Sequence, residues 1–210
     1  MDYEEIKQKA IEVEGAVKMY QYAVQSGNEE KAAEYVQTMW DLSAELIRQS
    51  ESLAACVVFT RASSLAFEYY LERKSPLFVA AIANMICQRM APILNSAPDN
   101  EPAQSILLQS AAQLLKGLDT FVGERVSESD DDEEVEILLN TLQAAIQVCD
   151  EVVNRLKDIN PENPKLQLFY PFVEDMKEDM LEHGADPEVA AMSLPECLEF
   201  VDSVLEIYTE

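Results

Sequence analysis

The chain reads as all-α, a bundle of about eight mostly antiparallel helices in one body or two contiguous lobes. Three observations predict this. Only 5 of 210 residues are glycine, 48% are hydrophobic, and the apolar residues recur at three- and four-residue steps rather than alternating. A chain of this length and apolar content can bury a large core without disulfides or metal.

The first helix is expected over residues 2–25, where Ile6, Ala10, Val13, Val17, Tyr20 and Val24 make one apolar stripe. Ser26, Gly27 and Asn28 interrupt it, with Gly27 suited to a helix exit and Asn28 to capping the next start. A second helix over 29–49 offers Ala33, Val36, Trp40, Ser43 and Ile47 as its inner face. The third, over 53–73, and the fourth, over 76–94, are apolar around most of their circumference, and LFVAAIANMIC carries a single polar residue. The fourth is therefore the expected centre of the core, opened by Ser75-Pro76 and bent or ended near Pro92.

NSAPDNEPAQ, residues 95–104, reads as a linker because its prolines, asparagines and aspartate oppose regular structure. The predicted division is thus an amino-terminal helical lobe over 1–94, the linker, and an acidic helical lobe over 105–210. A fifth helix runs to about Val122. The sixth has the most regular pattern, with Val135, Leu142, Cys149 and Leu156 in one heptad column and Leu138, Ala145, Val152 and Ile159 in the next. Leu139, Ile146 and Val153 widen that face beyond a coiled-coil seam, which reads as a helix packed in a bundle. NPENP ends it, a seventh helix containing Pro171 reaches His183-Gly184, Asp186-Pro187 starts a short turn, and Ser193 opens a last helix.

Seven carboxylates lie between Glu128 and Glu136 in VSESDDDEEVEILL. Ser127 or Ser129 can cap the sixth helix, and acids in a first turn favour the positive end of its dipole. Capping needs one or two acids, so the surplus is expected as a solvated, mobile tract over Glu128–Asp132 or as a surface for a cationic partner. Residues 1–118 hold 10 basic and 15 acidic residues, whereas 119–210 hold 5 and 25. Such a field disfavours direct binding to nucleic acid or anionic membranes and attracts basic proteins.

The expected role is therefore non-catalytic: an adaptor, chaperone, immunity or inhibitor protein that binds a basic or nucleic-acid-binding protein, DNA mimicry included. The partner-binding residues are Asp130, Asp131, Asp132, Glu133 and Glu134, with Glu174, Glu178 and Glu182 on the seventh helix. Trp40, Tyr69 and Tyr70 are the apolar surface to turn to if charge plays no part. The alternative is a magnesium-dependent all-α hydrolase, similar to nucleotide pyrophosphohydrolases in pairing helix-borne acids, with Asp175, Asp179, Glu133 and Glu136 as ligands. Against it, Glu174, Glu178 and Glu182 point away from the apolar side of their helix, and no basic motif accompanies them to hold phosphate. Nucleophile motifs and phosphate-binding glycine loops are missing from the sequence, and no cofactor is called for.

Cys56, Cys87, Cys149 and Cys197 lie 31, 62 and 48 residues apart, each in an apolar pattern. They read as buried thiols of a reducing compartment. His183 is the sole histidine. The segment MDYEEIKQKA has no apolar core of an export signal, and the uncharged run from Ser75 to Gln88 is too short for a bilayer, so a cytoplasmic protein is expected.

Overall fold

The short polar interruptions read from the sequence do turn one long helix back along the next. The computed structural model describes residues 3–50, 52–73 and 75–209, of which the side chains of Leu53, Cys56, Leu71, His183 and Thr209 are not described. It is 88% helical. The described residues form α1 (Tyr3–Gln25), α2 (Glu29–Gln49), α3 (Leu53–Arg73), α4 (Pro76–Ser96), α5 (Glu101–Glu128), α6 (Asp132–Ile159), α7 (Pro164–His183), α8 (Pro187–Ala190) and α9 (Leu194–Thr209), with no strand among them. Two compact units result, Met1–Arg73 and Lys74–Glu210.

In the first unit α1, α2 and α3 each pack on the other two. Gly27, at φ 69°, leaves α1 in the left-handed region, and the Asn28 side chain accepts the Lys31 amide at 3.0 Å to start α2. Val13, Val17 and Tyr20 face inward as expected, while in the last turn Ala23 is buried in place of Val24, which lies 52% exposed. On α2 the inner face is rotated by one residue at its start: Ala32 is buried and Ala33 exposed. Trp40 stacks at 5.9 Å on Phe59, and Tyr20 meets Tyr69 edge-on at 6.0 Å. Trp40, Tyr69 and Tyr70 are therefore core residues, at most 9% exposed. They offer no recognition surface, because helical side chains of this size fill the triangle between three helices. At the rim Lys9 pairs with Glu45, and Arg61 with Glu14 at 2.7 Å.

The second unit is a ring of four helices, since α4 packs on α5, α5 on α6, α6 on α9 and α9 back on α4. α7 lies against α6 and α5, and α8 against α6. Eleven of the 21 residues of α4 are buried, against 12 of 28 in α5, as its apolar circumference requires. Among the described residues α4 is also the one helix long and apolar enough to cross a bilayer, longer than its uncharged run implied, yet 61% of that window is buried within the protein. Its Asn84 is fully buried and donates to the Leu198 carbonyl at 3.0 Å and the Asp202 carboxylate at 3.3 Å. This polar tie fixes the register of α4 against α9. Pro92 does not end the helix, which continues to Ser96.

The expected linker is mostly helix. Only residues 97–100 separate α4 from α5, where Asn100 caps α5 through the Ala103 amide and Gln104 donates to the Pro98 carbonyl at 2.6 Å. Close packing between these two helices runs through Gly117. A Cβ at that position would stand 2.8 Å from the Pro76 carbonyl oxygen and 3.1 Å from the Ala80 Cβ. The heptad columns of α6 are buried at their centres, with Leu138, Ala145, Cys149 and Val152 at zero exposure, whereas Leu139 lies 42% exposed. At the head of α9 the Glu196 carboxylate reaches back to Ser193, accepting its amide at 2.7 Å and its hydroxyl at 2.5 Å.

Candidate interaction surface

The acidic stretch divides into parts with different work. α5 runs to Glu128, six residues beyond the expected Val122, and Ser129 caps its end. Arg125 lies in that last turn, where a cation complements the helix dipole. α6 then begins with Asp131, not a serine, as its cap. The Asp131 carboxylate accepts the Glu133 amide at 3.0 Å and the Glu134 amide at 3.4 Å, while the Ser129 hydroxyl accepts the Asp131 amide at 3.2 Å. The tract Glu128–Asp132, expected as a solvated loop, is thus a helix end, a three-residue link and a helix start.

Glu134 turns inward from this run. Its carboxylate accepts the Ser129 hydroxyl at 2.6 Å, the Arg125 guanidinium at 2.5 Å and the Tyr208 hydroxyl at 3.0 Å, with 23% of the side chain exposed. Those bonds, Ser129's first, then Arg125's and Tyr208's, hold its carboxyl down at about 2. Tyr208 also stacks edge-on with Phe121 at 5.2 Å, and the Arg125 guanidinium lies 5.6 Å above its ring. The four residues latch the end of α5, the start of α6 and the end of α9 together. Glu134 is a structural carboxylate.

The remaining acids of the turn, Glu128, Asp130, Asp131, Asp132 and Glu133, are exposed, and among the described residues none of them forms an ion pair. On α7, Glu174 is half-buried and pairs with Lys177 at 3.4 Å, whereas Glu178 and Glu182 are exposed. Asp175 and Asp179, the α7 ligands of the magnesium reading, are exposed too and do not turn toward the packed side of their helix. The apolar side of α7 is narrow, with Leu166 and Val173 buried but Leu168 82% and Leu181 72% exposed. The four acids of the magnesium reading, Glu133, Glu136, Asp175 and Asp179, are all exposed, and no group of three or more His, Cys, Asp or Glu among the described residues could hold a metal ion.

A second feature has no counterpart in the sequence reading. Ile146, Gln147 and Asp150 of α6, Met180 and Leu181 of α7, and Ala190 of α8 line a cleft of about 130 Å³. On the other side of Gln147 and Asp150, a second depression of about 240 Å³ is lined by Glu151, Asn154, Met192, Leu194 and Cys197. Because both contain Gln147 and Asp150, the two depressions adjoin along α6 and make one grooved face. Asp150 sits at the divide, accepting from Lys177 at 2.9 Å and from the Asn154 amide at 3.1 Å. Burial alone would lower the pKa of Lys177, but the bond and charge of Asp150, then Glu174, outweigh it and raise it. One wall is braced by a reciprocal clamp, in which Gln143 donates to the Asp186 carbonyl and accepts the Asp186 amide, each at 2.8 Å.

Cys87, Cys149 and Cys197 are buried free thiols. Burial pushes all three up, Cys197 to about 11 with Glu151 and Glu196 adding to the effect, and Cys149 donates to the Ala111 carbonyl at 3.1 Å. Cys56 and His183 lie outside the described side chains. No protein family, characterised protein or solved structure matches the chain.

Proposed function

We propose that the protein is a non-catalytic, cytoplasmic interaction module that recruits a basic protein, nucleic-acid-binding proteins included, through its acidic second unit. The observation that carries this reading is the separation of labour at the α5–α6 turn. The nearby cation, Arg125, is committed to Glu134, and five further carboxylates stand in water without an ion pair among the described residues. Asp131 also caps α6, but like charges held together in solvent repel one another and gain nothing from packing, so the value of the surplus lies in the field they project. Lys74–Glu210 carry 8 basic and 27 acidic residues, which gives that field one sign over the unit. Fields of this kind act on encounter, over a Debye length of about 8 Å at physiological ionic strength.

The test begins with capture of a partner from native lysate on the full chain and its elution by salt. Association and dissociation rates are then compared, at two salt concentrations, for the native chain and for a variant combining Asp130→Asn, Asp131→Asn, Asp132→Asn and Glu133→Gln. Glu134 is left intact because its loss would open the latch, and asparagine at 131 retains a capping side chain. Association should slow several-fold in the variant and in high salt, with dissociation little changed. Rates indifferent to both would reduce the acids to a solubilising role.

A further inference from the structure

We infer that the groove over α6, between α7, α8 and α9, is a docking site for a basic amphipathic segment of another protein, which places apolar side chains in its two depressions and lysines or arginines against its acidic rim. This rests on the reading of the protein as a binder of basic partners and names where the specific contact is made.

Two kinds of observation point to that occupant. The first is shape and lining. A cavity of roughly 150 Å³ accepts a benzene-sized group, so the 130 Å³ cleft suits one leucine or methionine side chain, and the 240 Å³ depression beside it accepts a larger one. Ile146, Met180 and Leu181 line the first, whereas in the second Met192 and Leu194 stand among Gln147, Asp150, Glu151 and Asn154, which suits an apolar side chain with a basic neighbour. Flexible methionine thioethers adapt to differing apolar guests. Leu181 stands 72% exposed at the rim, an apolar surface that an incoming side chain would cover.

The second is charge. Among the described residues lining either depression Lys177 is the one cation, and it is already held by Asp150 and Glu174. Glu151 stands exposed in the wall of the second depression, and Glu178 stands exposed on α7, the helix that walls the first. An apolar guest with acidic neighbours would meet these carboxylates unfavourably, whereas one with basic neighbours would pair with them, which selects against the wrong partner as well as for the right one. The pattern matches the way amphipathic helices lay apolar anchors in a hydrophobic groove with polar contacts around it.

The experiment is a selection of random 12-residue displayed peptides on the full chain, followed by anisotropy titrations of the enriched peptides as synthetic, labelled probes. Ala190→Trp, at an exposed position of the short α8, fills the first cleft without entering the core, and Gln147→Arg places a cation on the divide. Circular dichroism checks that each variant folds, and either variant alone suffices. Enriched peptides should carry leucine, methionine or phenylalanine flanked by lysine or arginine, and should lose at least tenfold in affinity to either variant. The four-acid variant of the α5–α6 turn should bind the same peptides within a few-fold at physiological salt. Purely basic peptides that ignore Ala190→Trp but weaken with the four-acid variant would overturn the groove while leaving the electrostatic reading intact. Apolar peptides without basic bias, or no enrichment at all, would overturn it also.

Discussion

Replacing Gly117 by alanine sets two effects of known size against each other. Alanine gains about 1 kcal/mol over glycine in a helix interior, so an open site would be stabilised. At Gly117 the new Cβ stands 2.8 Å from the Pro76 carbonyl oxygen, 3.1 Å from the Ala80 Cβ and 3.2 Å from the Ala80 amide nitrogen. Two of these obstructions are backbone, which cannot swing aside as a long side chain would. The first turn of α4, set by the Ser75 cap and Pro76, has to shift from α5. Overpacking of this kind costs about 1–3 kcal/mol, and because backbone must move the upper half of that range, about 2–3 kcal/mol, applies, which less the helix gain leaves a net loss of about 1–2 kcal/mol. Gly123 lies on the same helix with nothing within 4 Å of its would-be Cβ, and Gly123→Ala should gain about 0.5–1 kcal/mol. Urea titrations followed by far-ultraviolet circular dichroism give the comparison, and amide exchange at Leu114 and Leu115 localises it to the second unit. A Gly117→Ala protein as stable as the native one, or more so, would refute the close approach of α4 and α5.

Ile86 is 1% exposed, and Ile86→Ala should cost about 2–5 kcal/mol; Ile82→Ala should fall in the same range, whereas Ile11→Ala, 57% exposed, should stay within about 0.5 kcal/mol. Thermal and urea midpoints decide this, and losses well under 1 kcal/mol at both core positions would put α4 on the surface. Glu134→Gln should flatten the acid limb of stability. Its carboxyl is held at about 2 in the folded chain, below an unfolded value of about 4.3. The latch therefore contributes fully above that unfolded value and fades as pH falls from there toward 2. Urea midpoints of the native chain and the variant, measured between about pH 5 and pH 2, should converge at the acid end. Parallel curves would mean the carboxylate has the same surroundings folded and unfolded.

Local signals in the sequence were the reliable ones. The α6 columns were legible because a helix packed on several neighbours must repeat its apolar face every three or four residues, and Ala145, Cys149 and Val152 are buried accordingly. Asn28, Ser75 and Asp186 were legible as caps because one suitable residue precedes each start. At SESDDDEE several residues could cap, and composition alone could not choose Asp131 over Ser127 or Ser129. What escaped entirely depends on distant pairings. Glu134 meets Tyr208 across 74 positions, and Gln143 meets Asp186 across 43. Glu134 reads as one more partner-binding acid among its neighbours because an acid that turns inward and one that turns outward look alike in sequence. The groove is likewise assembled from four separate helices. Gly117 reads as a mid-helix glycine and Gly123 as a residue just past the expected helix end, and only the placement of α4 shows that Gly117 is the one pressed by a neighbour.

The packing of Trp40 against Phe59 has a spectroscopic consequence. It is the sole tryptophan of the chain, and it belongs to Met1–Arg73. Indole emission therefore observes only that three-helix unit, while Lys74–Glu210 report through tyrosines such as Tyr170 and Tyr208. Excitation selective for tryptophan and the helical ellipticity of the whole chain thus weigh the two units differently. Superimposable titration curves from the two signals mean that the units melt together, and separated curves assign each midpoint to its own unit without a label.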